Sequence, residues 1–120
     1  MNKEECLNRI YKELMTEKTA PFTIVCCFHS RRDMQNFIQS IFDKFIYIRK
    51  TKIKLGTVSD CFSSTVGNNR IYFMHDNCKC LDGINPNLFY YQEGFYYSQI
   101  IEFFKFRLKC VKNSQIYSFE

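Results

Sequence analysis

Hydrophobic and polar positions run along this chain in two rhythms. Leu7, Ile10, Tyr11 and Leu14 recur at helical spacing within residues 3–17, one apolar stripe on a charged segment, which predicts an amphipathic helix. Pro21 stops that helix and pushes Ala20 toward extended backbone. Phe22-Thr23-Ile24-Val25-Cys26-Cys27-Phe28 follows as a continuous run, and its length and β-branching predict a strand buried on both faces. The helical rhythm then returns. Ser30 is placed to cap a second helix, with Asp33 as capping-box partner, and Met34, Phe37, Ile38, Ile41, Phe42 and Phe45 form its apolar face.

Ile46 to Leu55 alternates apolar and basic residues, which predicts an exposed or edge strand. Cys61 to Val66 and Arg70 to Met74 flank Gly67-Asn68-Asn69 and read as a β-hairpin. His75 to Asn85 reads as a polar loop, and Leu88 to Gln92 as a strand. Tyr97 to Lys109 predicts a helix that is apolar over a wide arc, and Ser114 to Phe119 a last strand. Strands alternating with helices imply an α/β domain of three layers, with a mostly parallel sheet of about five strands and one β-hairpin.

Composition narrows this only slightly. The chain has 120 residues, 46% apolar and 18% aromatic, enough for one domain, residues 1–120, with its own core. Seven cysteines without an export signal imply reduced thiols in the cytoplasm or nucleus. No apolar run is long enough to cross a membrane, so no membrane contact is expected. The net charge of +5 permits nucleic-acid contact without demanding it.

Three features carry candidate chemistry. The first is Gly83-Ile84-Asn85-Pro86-Asn87-Leu88-Phe89-Tyr90-Tyr91-Gln92-Glu93: a turn, a short apolar strand and a carboxylate at its carboxyl tip, where α/β sheets bind ligands. Glu93 reads equally as a carboxylate in a solvated turn. The second is the pair of histidines, each beside cysteines. His29, His75, Cys78 and Cys80 would share one sheet edge if their strands point the same way, and could then ligate zinc. The Cys-x-Cys spacing is tighter than a zinc knuckle, and Cys26 and Cys27 belong to a buried strand. The third is basic: Arg31 and Arg32 open the second helix, Arg49, Lys50, Lys52 and Lys54 line a strand, and Lys105, Arg107, Lys109 and Lys112 follow. These read as a nucleic-acid surface or as the solvated face of a lysine-rich protein.

The ordered series resembles the RecA-like ATPase core of viral DNA-packaging terminase large subunits, of herpesvirus and phage type. Gly67-Asn68-Asn69-Arg70-Ile71-Tyr72-Phe73 matches the family's turn and R-I-x-F strand, and Gly83 to Glu93 its Gly-x-x-Pro-Asp segment and Walker B strand. Ser30 to Phe45 and Gln115 to Phe119 match a helix and strand on either side, so the resemblance covers roughly residues 7–119. It implies a RecA, P-loop-NTPase-like strand order.

The departures are specific. The sequence contains no Gly-x-x-x-x-Gly-Lys-Ser/Thr phosphate cradle. Gln92 stands where the family has the Mg²⁺-organising aspartate, a poor exchange around a hard cation. Glu93 aligns with the water-activating glutamate, and Asp82 replaces a basic residue. The resemblance therefore implies a degenerate, non-catalytic terminase- or helicase-like domain of a viral protein. It would have no cofactor, would bind DNA or a packaging or replication partner, and would sit in the cytoplasm or nucleus of an infected cell. Two alternatives stay open. One is a live ATPase fragment of a split terminase, using ATP and Mg²⁺ with the P-loop supplied elsewhere. The other is a small zinc-stabilised accessory protein.

Overall fold

The computed structural model describes residues 1–44, 49–54, 60–75, 85–94 and 115–120. Strand β1 (Phe22–Phe28) is the seven-residue apolar run and lies inside the sheet. Its alternate residues serve two faces: Ile24, Cys26 and Phe28 point to a helix-covered core, while Val25 and Cys27 are equally buried on the other side. Burial on both sides is why the run carries no charge. Each of its large side chains contributes about 1.5–3 kcal/mol of transfer free energy.

Helices α1 (Lys3–Met15) and α2 (Arg31–Lys44) both pack on the first of these faces. Asn2 caps α1, its side chain accepting from the Glu5 N–H at 2.8 Å. Cys6, Leu7, Ile10 and Leu14 are its buried stripe; Tyr11, expected there, is only half-buried, and the smaller Cys6 lies against the sheet instead. In α2, Met34, Phe37, Ile38 and Ile41 are buried, as their spacing predicts. Phe28, Phe37, Phe73 and Phe119 form one aromatic cluster, with ring centroids 5.1–6.4 Å apart. Phe45 and the predicted helix from Tyr97 to Lys109 lie outside the described residues.

The remaining strands are β2 (Arg49–Lys54), β3 (Asp60–Val66), β4 (Asn69–His75), β5 (Leu88–Gln92) and β6 (Gln115–Phe119). Among the described residues the sheet has six strands, in the order β2-β3-β4-β1-β5-β6. β4, β1, β5 and β6 are mutually parallel, with Ile24 opposite both Ile71 and Leu88. β3 and β4 form the expected hairpin about Gly67, whose φ of +59° suits glycine. Beyond that hairpin, β2 pairs antiparallel with β3 and is the lysine-bearing edge.

Polar clasps fix the amino edge. The buried Asn69 donates its amide to the Leu14 and Thr16 carbonyls at 3.1 and 2.8 Å, satisfying the end of α1. Lys18 Nζ donates to Asn69 Oδ1 at 3.1 Å and to the Glu13 and Thr16 carbonyls, and lies 4.5 Å from the Phe22 ring centroid. Asn87 Oδ1 accepts from the Thr23 N–H while its own N–H donates to the Thr23 carbonyl, both at 2.8 Å. The Asn87 carbonyl accepts from Gln115 at 3.0 Å, so one residue aligns the starts of β1, β5 and β6.

Candidate functional site

Parallel strands bring their carboxyl ends to one edge, and β1, β5 and β6 finish there side by side. β5 ends at Gln92, with Glu93 and Gly94 in the turn that follows. The Glu93 N–H donates to the Phe119 carbonyl at 2.7 Å, which anchors its backbone while its side chain stands in solvent. Gly94 has φ +85°, and a Cβ there would lie 3.8 Å from His29 Cδ2; the space is adequate but the backbone favours glycine. The next residue of β6's line, Glu120, donates its N–H to the Met1 carbonyl at 3.0 Å. The start of α1 thus joins the same edge.

Gln92 is 5% exposed and turned toward the start of α2. Its Oε1 accepts from the His29 N–H at 3.2 Å, and its Nε2 donates to Asp33 Oδ2 at a long 3.5 Å. The same Asp33 oxygen is 3.4 Å from His29 Nδ1. Ser30 Oγ accepts from the Asp33 N–H at 3.1 Å, so Ser30 caps α2 as expected. Asp33 departs from its predicted role: its carboxylate faces His29 and Gln92, where a capping box would have it reach back to the Ser30 N–H. The His29–Asp33 pair is the feature of this edge that sequence reading misses. Its i, i+4 spacing is visible in the chain, but the neighbouring cysteines draw His29 into a metal-site reading instead.

The other candidates separate. β1 and β4 are parallel with Phe28 opposite His75, so His29 and His75 do share the carboxyl edge. Cys78 and Cys80 lie outside the described residues, and among those described no cluster of three or more His, Cys, Asp or Glu side chains could hold a metal ion. Cys6, Cys26 and Cys27 are buried thiols, none of them in a disulfide. Burial, reinforced by the neighbouring Cys6, pushes the Cys26 thiol well above the ordinary thiol range, so it remains a protonated core group rather than a nucleophile. Burial likewise raises the Tyr90 phenol above its usual range. Arg31 and Arg32 are exposed at the start of α2. Arg49, Lys50, Lys52 and Lys54 lie on β2, separated from β1 by β3 and β4, so the described basic residues do not share one element. Lys105, Arg107, Lys109 and Lys112 lie outside the described residues. Among the described residues, no helix is long and apolar enough to cross a membrane.

No family model and no curated protein sequence matches this chain. Solved structures do. The large terminase of bacteriophage HK97 superposes with a TM-score of 0.70 at 11% identity, over 98% of this chain and 26% of that one. The large terminase of a thermophilic bacteriophage gives 0.61 at 8% identity, over 94% of this chain and 29% of its own length. The same thermophilic-phage protein in complex with ADP gives 0.54 at 11% identity, over 91% and 28%. The chain has a terminase-like α/β fold of RecA type, and it spans between about a quarter and a third of the length of these terminases.

Proposed function

We propose that this chain is a non-catalytic, degenerate terminase-like ATPase domain of a viral protein, acting by binding DNA or a packaging or replication partner. The observation that carries this reading is the hydrogen bonding of Gln92. Its carbonyl oxygen is taken by the His29 N–H and its NH₂ points to a carboxylate. The neutral amide accepts on one side and donates to Asp33 on the other, which an ionised carboxylate, an acceptor only, cannot do. An aspartate or glutamate here would set two anions against each other, so the surroundings of this position suit a neutral side chain rather than a Mg²⁺ ligand.

The start of α1 supports the same reading. A helix amino terminus at this edge could hold phosphate, but Asn2 already caps it, and Glu4 and Glu5 occupy its first turn. Two carboxylates there oppose a phosphate. The split-ATPase alternative has one observation in its favour: Met1 and Glu93 reach the same edge through Glu120 and Phe119. DNA contact would run through exposed cations such as Arg31 and Arg32 and would weaken as salt rises.

A terminase of this fold is known in complex with ADP, which makes nucleotide the direct test. Calorimetry of the chain with Mg·ATP, paired with a phosphate-release assay, is expected to show neither binding nor turnover. Turnover that disappears in Glu93→Gln would overturn the reading, as would binding of Mg·ATP by the chain alone.

A further inference from the structure

The register of the sheet brings together residues that no single segment of the sequence holds. Thr65 of β3 stands opposite Arg70 of β4, and Arg70 opposite Thr23 of β1. Residues in register share a face. This row belongs to the face away from α1 and α2, because Ile24 and Ile71, one residue further along their strands, lie in the core that those helices cover. Arg70 and Thr65 are exposed and Thr23 is half-buried. All three line one cleft of about 400 Å³, together with Tyr72 and Asn68. The cleft lies at the amino ends of β1 and β4, the opposite end of the sheet from Gln92 and Glu93.

Its chemistry is that of an anion site. Arg70 is charged at any working pH, and it makes no ion pair among the described residues. Its Nη1 donates to the Tyr72 hydroxyl oxygen at 3.2 Å, which steadies the guanidinium over its own strand and leaves the other N–H groups of the fork to a ligand. Among the described residues the Thr23 and Thr65 hydroxyls have no hydrogen-bond partner. No carboxylate belongs to the described residues that line the cleft. A cation and two hydroxyl donors, from three strands, thus meet one cleft with no opposing charge on its described walls.

We propose that this cleft binds a phosphodiester of a nucleic-acid strand. The proposal rests on the DNA-binding part of the reading above and gives it a site apart from Arg31 and Arg32. Two observations select a polymer's phosphate over the triphosphate of a nucleotide. The one charge of Arg70 matches the one charge of a phosphodiester, whereas a triphosphate needs several cations converging on it. Arg49, moreover, stands opposite Thr65 at the outer end of the same row. One strand lies between it and Arg70, a separation of about 10 Å. Separate phosphates along one strand can meet two such positions; a single phosphate cannot. Contacts of this kind hold a backbone without reading its sequence.

Fluorescence anisotropy of the whole chain with a single-stranded oligo-dT of about ten residues, repeated across a range of salt, tests this. Arg70→Ala should weaken binding about tenfold at low salt and reduce the slope of log K against log salt by about 0.7, the share of one phosphate. Arg70→Lys keeps the charge and loses the fork, so it should keep the slope and lose part of the affinity. Thr23→Val and Thr65→Val preserve side-chain shape and should each weaken binding about two- to threefold. An oligo-dC of the same length should lose affinity by the same factors. If Arg70→Ala does not fold, Arg70→Lys and the threonine variants carry the test. Wild-type affinity in Arg70→Ala, with losses confined to Arg31→Ala and Arg32→Ala, would overturn the cleft and leave DNA binding in place. A loss in Arg70→Ala with an unchanged slope would overturn it too, since no phosphate contact would have gone. A wild-type chain that binds no oligonucleotide at low salt would overturn both the cleft and DNA binding.

Discussion

Gln92 ties the tip of β5 to the structure around it through hydrogen bonds from its side chain. From the end of β5 it reaches the first residue after β1 and the first turn of α2, both on the one segment that leaves β1. Replacing its amide by a carboxylate keeps the acceptor and converts the donor into a second anion beside Asp33. Gln92→Glu is therefore expected to cost about 1–3 kcal/mol in urea denaturation at pH 7. The repulsion raises the carboxyl above its unfolded value, so the deficit is present at neutral pH and disappears as pH falls below the ordinary carboxylate range, about 4. A deficit that persists unchanged at low pH would mean that packing, and not charge, makes Gln92 necessary.

At the scale of elements, the structure depends on Asn69 and Asn87, whose motifs are visible in the sequence but whose side-chain contacts are not. Asn69 opens β4, yet its side chain closes α1 across 53–55 residues of sequence. Asn69→Ala leaves the Leu14 and Thr16 carbonyls and Lys18 without this partner, and is expected to lower stability by about 1–3 kcal/mol. In a double-mutant cycle with Lys18→Met the losses should be less than additive, because both remove the same clasp; strict additivity would show that Lys18 is held by Glu13 and Thr16 independently of Asn69. This clasp marks where the sequence stops being legible. β1 and β5 are readable to the residue because uninterrupted apolar runs admit little else, and the β3–β4 hairpin because Gly-Asn-Asn favours positive φ. The Asp33 carboxylate is misread because its partners lie one turn back in His29 and across the sheet in Gln92. A capping box is a local pattern; a contact between β5 and α2 leaves no local trace. The residue pattern places Gln92 and Glu93 at a strand tip and offers a solvated turn for Glu93, but only the geometry reveals that Gln92 is engaged.

At the scale of the molecule, the strand order decides which parts can open. β1 is flanked on both sides by parallel partners distant in sequence, Phe22 opposite Asn69 and Ile24 opposite Leu88. Its amides cannot be released without separating β4 from β5, which dismantles the core common to both helices. Edge strands have no such constraint. In native-state hydrogen exchange, the β1 amides from Ile24 to Phe28 should exchange only through global unfolding, with the same free energy that denaturant melting gives. The amides of Ile116 and Ser118, which alternate with those bonded to β5, should exchange orders of magnitude faster. Protection of β1 that falls below that of Tyr117, whose N–H belongs to the β5 ladder, would place the last-opening unit at β5–β6 and contradict a core centred on β1.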